Sequence, residues 1–329
     1  PRTSIHHTTT PMTKHHPTHF DVLESESIRK FTRALHREGG LNICHELHTS
    51  WYNDNADTPT STTSSNCQLP RLPLGPALLI GNTGGNISNF STNTTTARTF
   101  WEQFLSWLLA QQQPAIVPFQ VPQDPVDAYT EETIETLVKQ YLEPIATVST
   151  NTIHLYWAHN ADTASPSFVS MTRLASVSGF SYVHPTAYLS VHPTYGTWHS
   201  FRALIVFAMD DDDDDEATTP PPPKKCGSPL TPEQNERVEA LARTATQDHA
   251  HVFGQQQQQE ITIDEATIAS FQPWIDLRAS VPIGSELYQF PDDQLWYHYT
   301  KDATILQGSL RRLLVKKRNN NKNNRGARG

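Results

Sequence analysis

The chain has 329 residues, 36% of them hydrophobic, and a formal net charge of −9. That charge is uneven, because Asp210 to Glu216 contributes −7 and Arg311 to Arg328 contributes +8, leaving −10 on the rest. An acidic body argues against nucleic acid as the main partner, and no apolar run reaches the ~18–20 residues of a membrane helix.

Biased tracts punctuate the chain: a His/Thr-rich start (1–19), a Thr/Ser/Asn loop (54–68), then 84–96, 210–225, 255–259 and a Lys/Arg/Asn tail after Val315. Such compositions bury too little apolar surface to offset the entropy of ordering. Roughly 230 residues remain without them, enough for one well-buried domain. The reading is a disordered tract over 1–19, a single domain over 20–315 with insertions, and a disordered basic tail over 316–329.

Asp21 to Glu38 places Val22, Ile28, Phe31 and Leu35 at helical spacing, stopped by Gly39-Gly40. Leu41 to Asn53 reads as a strand ending in Trp51-Tyr52-Asn53, and Leu72 to Thr83 as a short buried strand entering a turn. From Ala97, residues Phe100, Trp101, Phe104, Leu105 and Leu108 recur at helical spacing. Asp124-Pro-Val-Asp127 opens another helix; Ile153 to Trp157 is a strand; Phe168 to Val177 is a helix closed by Gly179.

Ala187 to Phe207 then reads as two strands around a turn. Tyr188, Ser190 and His192 share one face, and Leu189 and Val191 the other. Pro193 closes the first arm and Gly196 supplies the turn. The second arm, Phe201 to Phe207, is apolar except for Arg202, which alternation puts on the face of Leu204 and Val206. A guanidinium on such a face calls for a fixed anionic partner. Thr231-Pro232-Glu233-Gln234 is a capped helix start, and two or three more helices follow around Trp274, Leu277, Leu295, Trp296 and Leu310 to Leu314. The fold class is therefore α+β, a mostly antiparallel sheet flanked by helices.

Local motifs name little chemistry. His45-Glu-Leu-His48 has i,i+3 spacing in a strand, whereas a zinc-binding helix needs i,i+4, so no metal site is expected. No Walker A or GxGxxG follows a strand, and no catalytic acid, base or nucleophile is singled out. Cys44, Cys67 and Cys226 share no CxxC spacing, which points to a reducing, cytoplasmic setting.

Several blocks, in order, resemble the cobalamin-processing family, the cyanide-eliminating cyanocobalamin reductases or cobalamin C-type proteins. The most specific is His192-Pro193-x-Tyr195-Gly196-x-Trp198-x-x-x-Arg202. Before it come Gly40…Trp51-Tyr52-Asn53, Leu72-Pro-Leu-Gly-Pro, Ala97-Arg-Thr-Phe-Trp-Glu-Gln-Phe-Leu and Asp124-Pro-Val-Asp127; after it, Pro273-Trp274-x-x-x-Arg278 and Asp292…Tyr297 match more loosely.

The resemblance implies a flavin-reductase (nitroreductase-like) fold that binds cobalamin (vitamin B12) base-off and removes its upper axial ligand. Cyanide leaves by reduction with reduced flavin (FMN or FAD), and alkyl groups leave to glutathione. The chemistry then belongs to cobalt and flavin, while the protein supplies a shaped cavity. The cobalamin-contact positions it implies are Tyr156, Val169, Ser170, Met171, Thr172, Val183, His184, Pro185, Ser190 and Phe201. For glutathione they are Arg202, Arg278 and Arg311 (or Arg312). Ser176 departs from the family, whose animal members carry His there. The partners implied are downstream cobalamin-trafficking proteins, with the chain a monomer or a ligand-induced homodimer. The alternatives are a non-catalytic cobalamin chaperone and a general flavin or nitro reductase. Trp198 reads as core rather than as a ligand contact.

Overall fold

The apolar run that begins at Phe201 lies inside β6 (His199–Ala208), an inner strand of a four-stranded antiparallel sheet. The structure, a computed structural model, describes residues 23, 25–55, 69–85, 98–111, 124–144, 146, 152–208, 220–253 and 265–326. Of 248–253, 265–268, 317–318 and 320–326 it describes the backbone. The other strands are β1 (Ile43–His48), β2 (Pro76–Thr83) and β3 (Thr152–Trp157), in the order β1-β2-β6-β3. A two-stranded ribbon, β4 (Tyr182–Val183) with β5 (Ser190–Val191), stands apart.

Helices cover both faces of the sheet, which is why all eight residues of β2 are buried. On one face α1 (Glu26–Gly39), α3 (Phe100–Ala110), α4 (Pro125–Tyr141) and α10 (Ala303–Gly326) bring Phe31, Phe104, Leu137 and Leu306 onto Leu78, Ile80, Ala203, Ile205 and Phe207. On the other, α2 (Ser50–Asn53) and α5 (Met171–Val177) bring Tyr52, Met171 and Leu174 onto Ala77, Leu79, Leu204 and Val206. Between them in the chain lie α6 (Pro232–Phe253), α7 (Glu265–Ala279), α8 (Ser285–Tyr288) and α9 (Asp292–Thr300). Among the described residues four helices thus follow α6, where two or three are expected.

Local signals set most boundaries. Ser25 caps α1 through its hydroxyl, and Gly40 ends it in the left-handed region at φ 64°. Thr99 and Glu102 form a reciprocal capping box at α3. At α6 the amides of Thr231 and Gln234 bond each other's side chains at 3.0 and 3.3 Å, as the sequence indicates.

Three sequence expectations are corrected. First, Arg202 does not share a face with Leu204 and Val206. Gly81 opposes Phe201 while Ile80 opposes Ala203, so Arg202 is the extra residue of a β-bulge. The bulge sends Phe201 to the α5 side with Leu204, and Arg202 to the α3 side over the Phe100 ring.

Second, Ala187 to Phe207 is not one hairpin. β5 pairs with β4, and a tight turn then delivers the chain to β6 in the other sheet. His192 and Gly196 exchange backbone hydrogen bonds of 2.8 Å across that turn, with Gly196 at φ 56°. Tyr188, also left-handed at φ 52°, ends the alternation that the sequence pattern suggests. Third, Trp51 to Asn53 form the short helix α2 rather than the end of a strand, because the amides of Tyr52 and Asn53 turn back to the Thr49 carbonyl. Two of the polar tracts make contacts with the rest of the chain. The Trp51 indole donates to the Pro220 carbonyl at 2.9 Å, and α10 continues past Val315, with Lys316 paired to Glu102 at 3.5 Å. The His/Thr tract, the Asp run and the Gln run lie outside the described residues. Among the described residues no helix is long and apolar enough to cross a membrane.

Gly81 is required by the bulge, since a Cβ there would lie 2.5 Å from the Ser200 carbonyl oxygen. Gly81→Ala should therefore cost about 1–3 kcal/mol in urea unfolding. Wild-type stability in that variant would contradict the bulge.

Candidate functional site

The bulge divides two side-chain clusters, one on each side of the start of β6. The first is built around Phe180, which follows the left-handed Gly179 (φ 72°) at the end of α5. The ring of Phe180 lies 5.1 Å from His45, 4.6 Å from His192, 5.8 Å from His199 and 5.8 Å from Phe201. His192 stacks on Tyr195 at 4.2 Å, nearly parallel. A hydrogen-bonded chain runs from Ser181 to Ser190 (2.7 Å) and on to His199 Nε2 (3.1 Å), tying the ribbon to β6.

Burial governs the titration of these imidazoles. It pushes His199 down to about 3, helped by Arg278 and His192. It lowers His192 to about 4, with His45 adding repulsion. His45 is also lowered by burial, although it sits 3.2 Å from the Ser178 carbonyl.

The implied cobalamin positions gather around this cluster in two groups. Val169 and Met171, with Tyr156 from β3, are buried in the core beneath α5. Phe201 is half-buried against them. Ser170 receives α5, its amide 3.3 Å from the Tyr52 hydroxyl, and Thr172 is exposed on the first turn. α5 packs against both β4 and β5, which bring in Val183 and its cross-strand partner Ser190. His184 is fully buried; its Nδ1 accepts from the amides of Thr186 and Ala187 at 3.2 and 3.1 Å, fixing the loop on which Pro185 is exposed. Ser176, at the position of the family His, is half-buried on α5.

The second cluster surrounds Arg202. Its partner is not a carboxylate, as the sequence suggests, but the amide oxygen of Asn82, which accepts from Nε at 2.8 Å. The guanidinium also lies 4.6 Å from the Phe100 ring centre. Desolvation lowers it to about 10, opposed by Asp127 and reinforced by Arg278, so it stays charged at neutral pH. Arg278 donates to the Thr197 carbonyl at 2.8 Å and to the Tyr299 hydroxyl at 3.1 Å. Phe100, Trp101, Ser200, Arg202, Gln294, His298 and Lys301 are among the residues lining a crevice here. Burial and the charges of Arg278, Arg202 and Lys301 hold His298 well below the ordinary histidine range.

Arg202 and Arg278 are thus brought within each other's field. Arg311 is not: it is exposed on α10 and does not line the crevice, while Arg312 pairs with Asp293. Among the described residues no three His, Cys, Asp or Glu side chains come together to hold a metal ion. His45 reaches Ser178, whereas His48 bonds the Ser50 hydroxyl at 2.7 Å. Burial pushes the Cys44 thiol up to about 11, which leaves it unreactive.

Sequence reading missed Phe180, His199, Asn82, Gln294, His298 and Lys301. Asn82 carries a usable signal, a polar residue closing the apolar run Pro76–Gly81. The others are joined only by tertiary folding.

No family model matches the chain, and no curated protein matches it. Among solved structures, the chain is similar to a B12-trafficking protein CblC from C. elegans, described as a homologue of human MMACHC. The match has 15% identity and a TM-score of 0.43, and covers 78% of this chain and 97% of that one.

The histidine cluster predicts a pH dependence. Unfolded histidines protonate near 6.5, whereas His192 and His199 stay neutral in the fold down to about 4 and 3. The unfolded chain binds more protons in that window, so stability falls as pH drops from 6.5 towards 4. Urea unfolding at pH 7 and pH 5 should show the loss, and His199→Gln should reduce it. Equal wild-type stability at both pH values would contradict the buried neutral imidazoles.

Proposed function

We propose that the protein processes cobalamin, binding it base-off and removing the upper axial ligand. Cyanide leaves by reduction with reduced flavin, and alkyl groups pass to the sulphur of glutathione. The observation that carries this reading is the His192–Arg202 block. It is the most specific of the ordered resemblances, and it is also the segment that separates an aromatic cluster from a cationic crevice.

A corrin is a broad apolar disc fringed with amides, which suits an aromatic wall with scattered hydroxyls. In this reading Ser170, Thr172, Val183, Pro185, Ser190 and Phe201 touch the corrin. Tyr156, Val169, Met171 and His184 support them from beneath. Arg202 and Arg278 attract the carboxylates of glutathione, and the positive field favours its thiolate. The flavin serves as a diffusing electron donor, and none of the residues named here holds it. The fold is then of the flavin-reductase, nitroreductase-like type. The compartment is the cytoplasm, where glutathione is reduced, and the product passes to cobalamin-trafficking proteins.

Removing the Arg202 charge should separate the two activities. Arg202→Gln should lower glutathione-dependent dealkylation about tenfold or more, the loss of one charged hydrogen bond, and leave flavin-dependent decyanation within about twofold. Equal loss of both would assign Arg202 to the fold instead.

A further inference from the structure

Three cations gather at the Arg202 crevice. Arg202 on β6 and Lys301 just after α9 both line it, and Arg278 at the end of α7 acts on Arg202 through its charge. Among the described residues none of the three forms an ion pair with a carboxylate. Asp127 on α4 reaches Arg202 only through its field and lies 3.8 Å from His159, while Asp124 acts on Tyr297. His298, in the same lining, is neutral at neutral pH and adds no charge. Asn82 takes Arg202 Nε and Phe100 takes one face of the guanidinium, yet the side chain is only half-buried and keeps surface open to the crevice.

Size restricts what those cations can hold. The crevice has about 10 Å³ of free space, room for one water-sized species. A water there would satisfy N–H groups but leave the repulsion between the cations uncompensated. A carboxylate or phosphate would compensate it, but its several heavy atoms would have to force the crevice open. A monatomic anion meets both demands. Lys301 is exposed, so its ammonium can yield to the small excess of a chloride over a water. Ser200 and Trp101 add an O–H and an N–H to the lining, and an anion accepts from both kinds of donor.

We propose that the crevice is a halide site, with chloride held by the Arg202 guanidinium and the Lys301 ammonium within the field of Arg278. Chloride there supplies the counter-charge that the protein does not build into its own side chains. The inference goes beyond the thiol reading and does not depend on it, since a thiol carboxylate reaching Arg202 would have to displace the ion.

The test uses the full chain without cobalamin, in sodium chloride and in sodium gluconate at the same ionic strength. Chloride should raise the melting temperature above gluconate by about 2–4 °C, as mass action gives at roughly ten times the dissociation constant. The ³⁵Cl resonance should show excess broadening that bromide removes. Arg202→Gln should abolish both effects, and Arg311→Gln, on the exposed side of α10, should keep both. Lys301→Asn, which tolerates the left-handed backbone at that position, should weaken both and carries the test if Arg202→Gln does not fold. Equal melting in the two salts with no excess broadening would mean that the crevice holds water only and would overturn the proposal. Chloride effects that survive both crevice variants would place the ion elsewhere and overturn it as well.

Discussion

The pairing of β2 with β6 is the constraint on which the rest depends. Both strands are covered on both faces, so every side chain along them must be apolar or individually accommodated. The bulge opposite Gly81 is where that rule is relaxed. One extra residue changes the phase of the strand, so Arg202 and Ala203 face the same side, Phe201 joins Leu204 on the other, and the regular alternation resumes from Ala203. Asn82 sits next to the bulge and gives Arg202 a neutral acceptor, while Phe100 gives it a ring face. A cation is thereby held close to the core with no ion pair among the described residues. Its charge remains available to whatever occupies the crevice.

The two clusters share the segment His192–Arg202 but draw on different parts of the chain. The Phe180 cluster recruits β1, α5 and the β4–β5 ribbon, tied to β6 by the Ser181–Ser190–His199 chain. The crevice recruits α3, α4 and α9, with Arg278 at the end of α7. A ligand spanning both sides would meet aromatic and hydroxyl groups on one and cations on the other. This chemical asymmetry is what a large cofactor-like substrate and a small anionic co-substrate require, and it is the physical content of the proposal.

Much of the fold is legible in the sequence because local rules decide it. The capped starts of α3 and α6, the glycine stop after α1 and the buried run of β2 follow from caps, left-handed glycines and apolar continuity. The errors share a cause. Alternation counted from Tyr188 cannot foresee that its backbone turns left-handed, and alternation counted from Phe201 cannot foresee the bulge at Arg202. The bulge moves Arg202 to the opposite face from Leu204 and Val206, and the left-handed turn takes Tyr188 out of an alternation that Leu189 and Val191 keep. Trp51 to Asn53 are aromatic and strand-like in type, yet Asn53 turns to bond the backbone of Leu72 on both its amide and its carbonyl. The candidate site is less legible than the fold. Its composition is seen in advance, but the meeting of Arg202 with Arg278, Gln294, His298 and Lys301 depends on contacts far apart in sequence.

Anaerobic visible absorbance of the purified protein mixed with cyanocobalamin, before and after adding reduced flavin, tests the central claim most directly. The account predicts a blue shift on mixing, the mark of base-off binding, followed by conversion to the cob(II)alamin spectrum. A spectrum unchanged at both stages would contradict it.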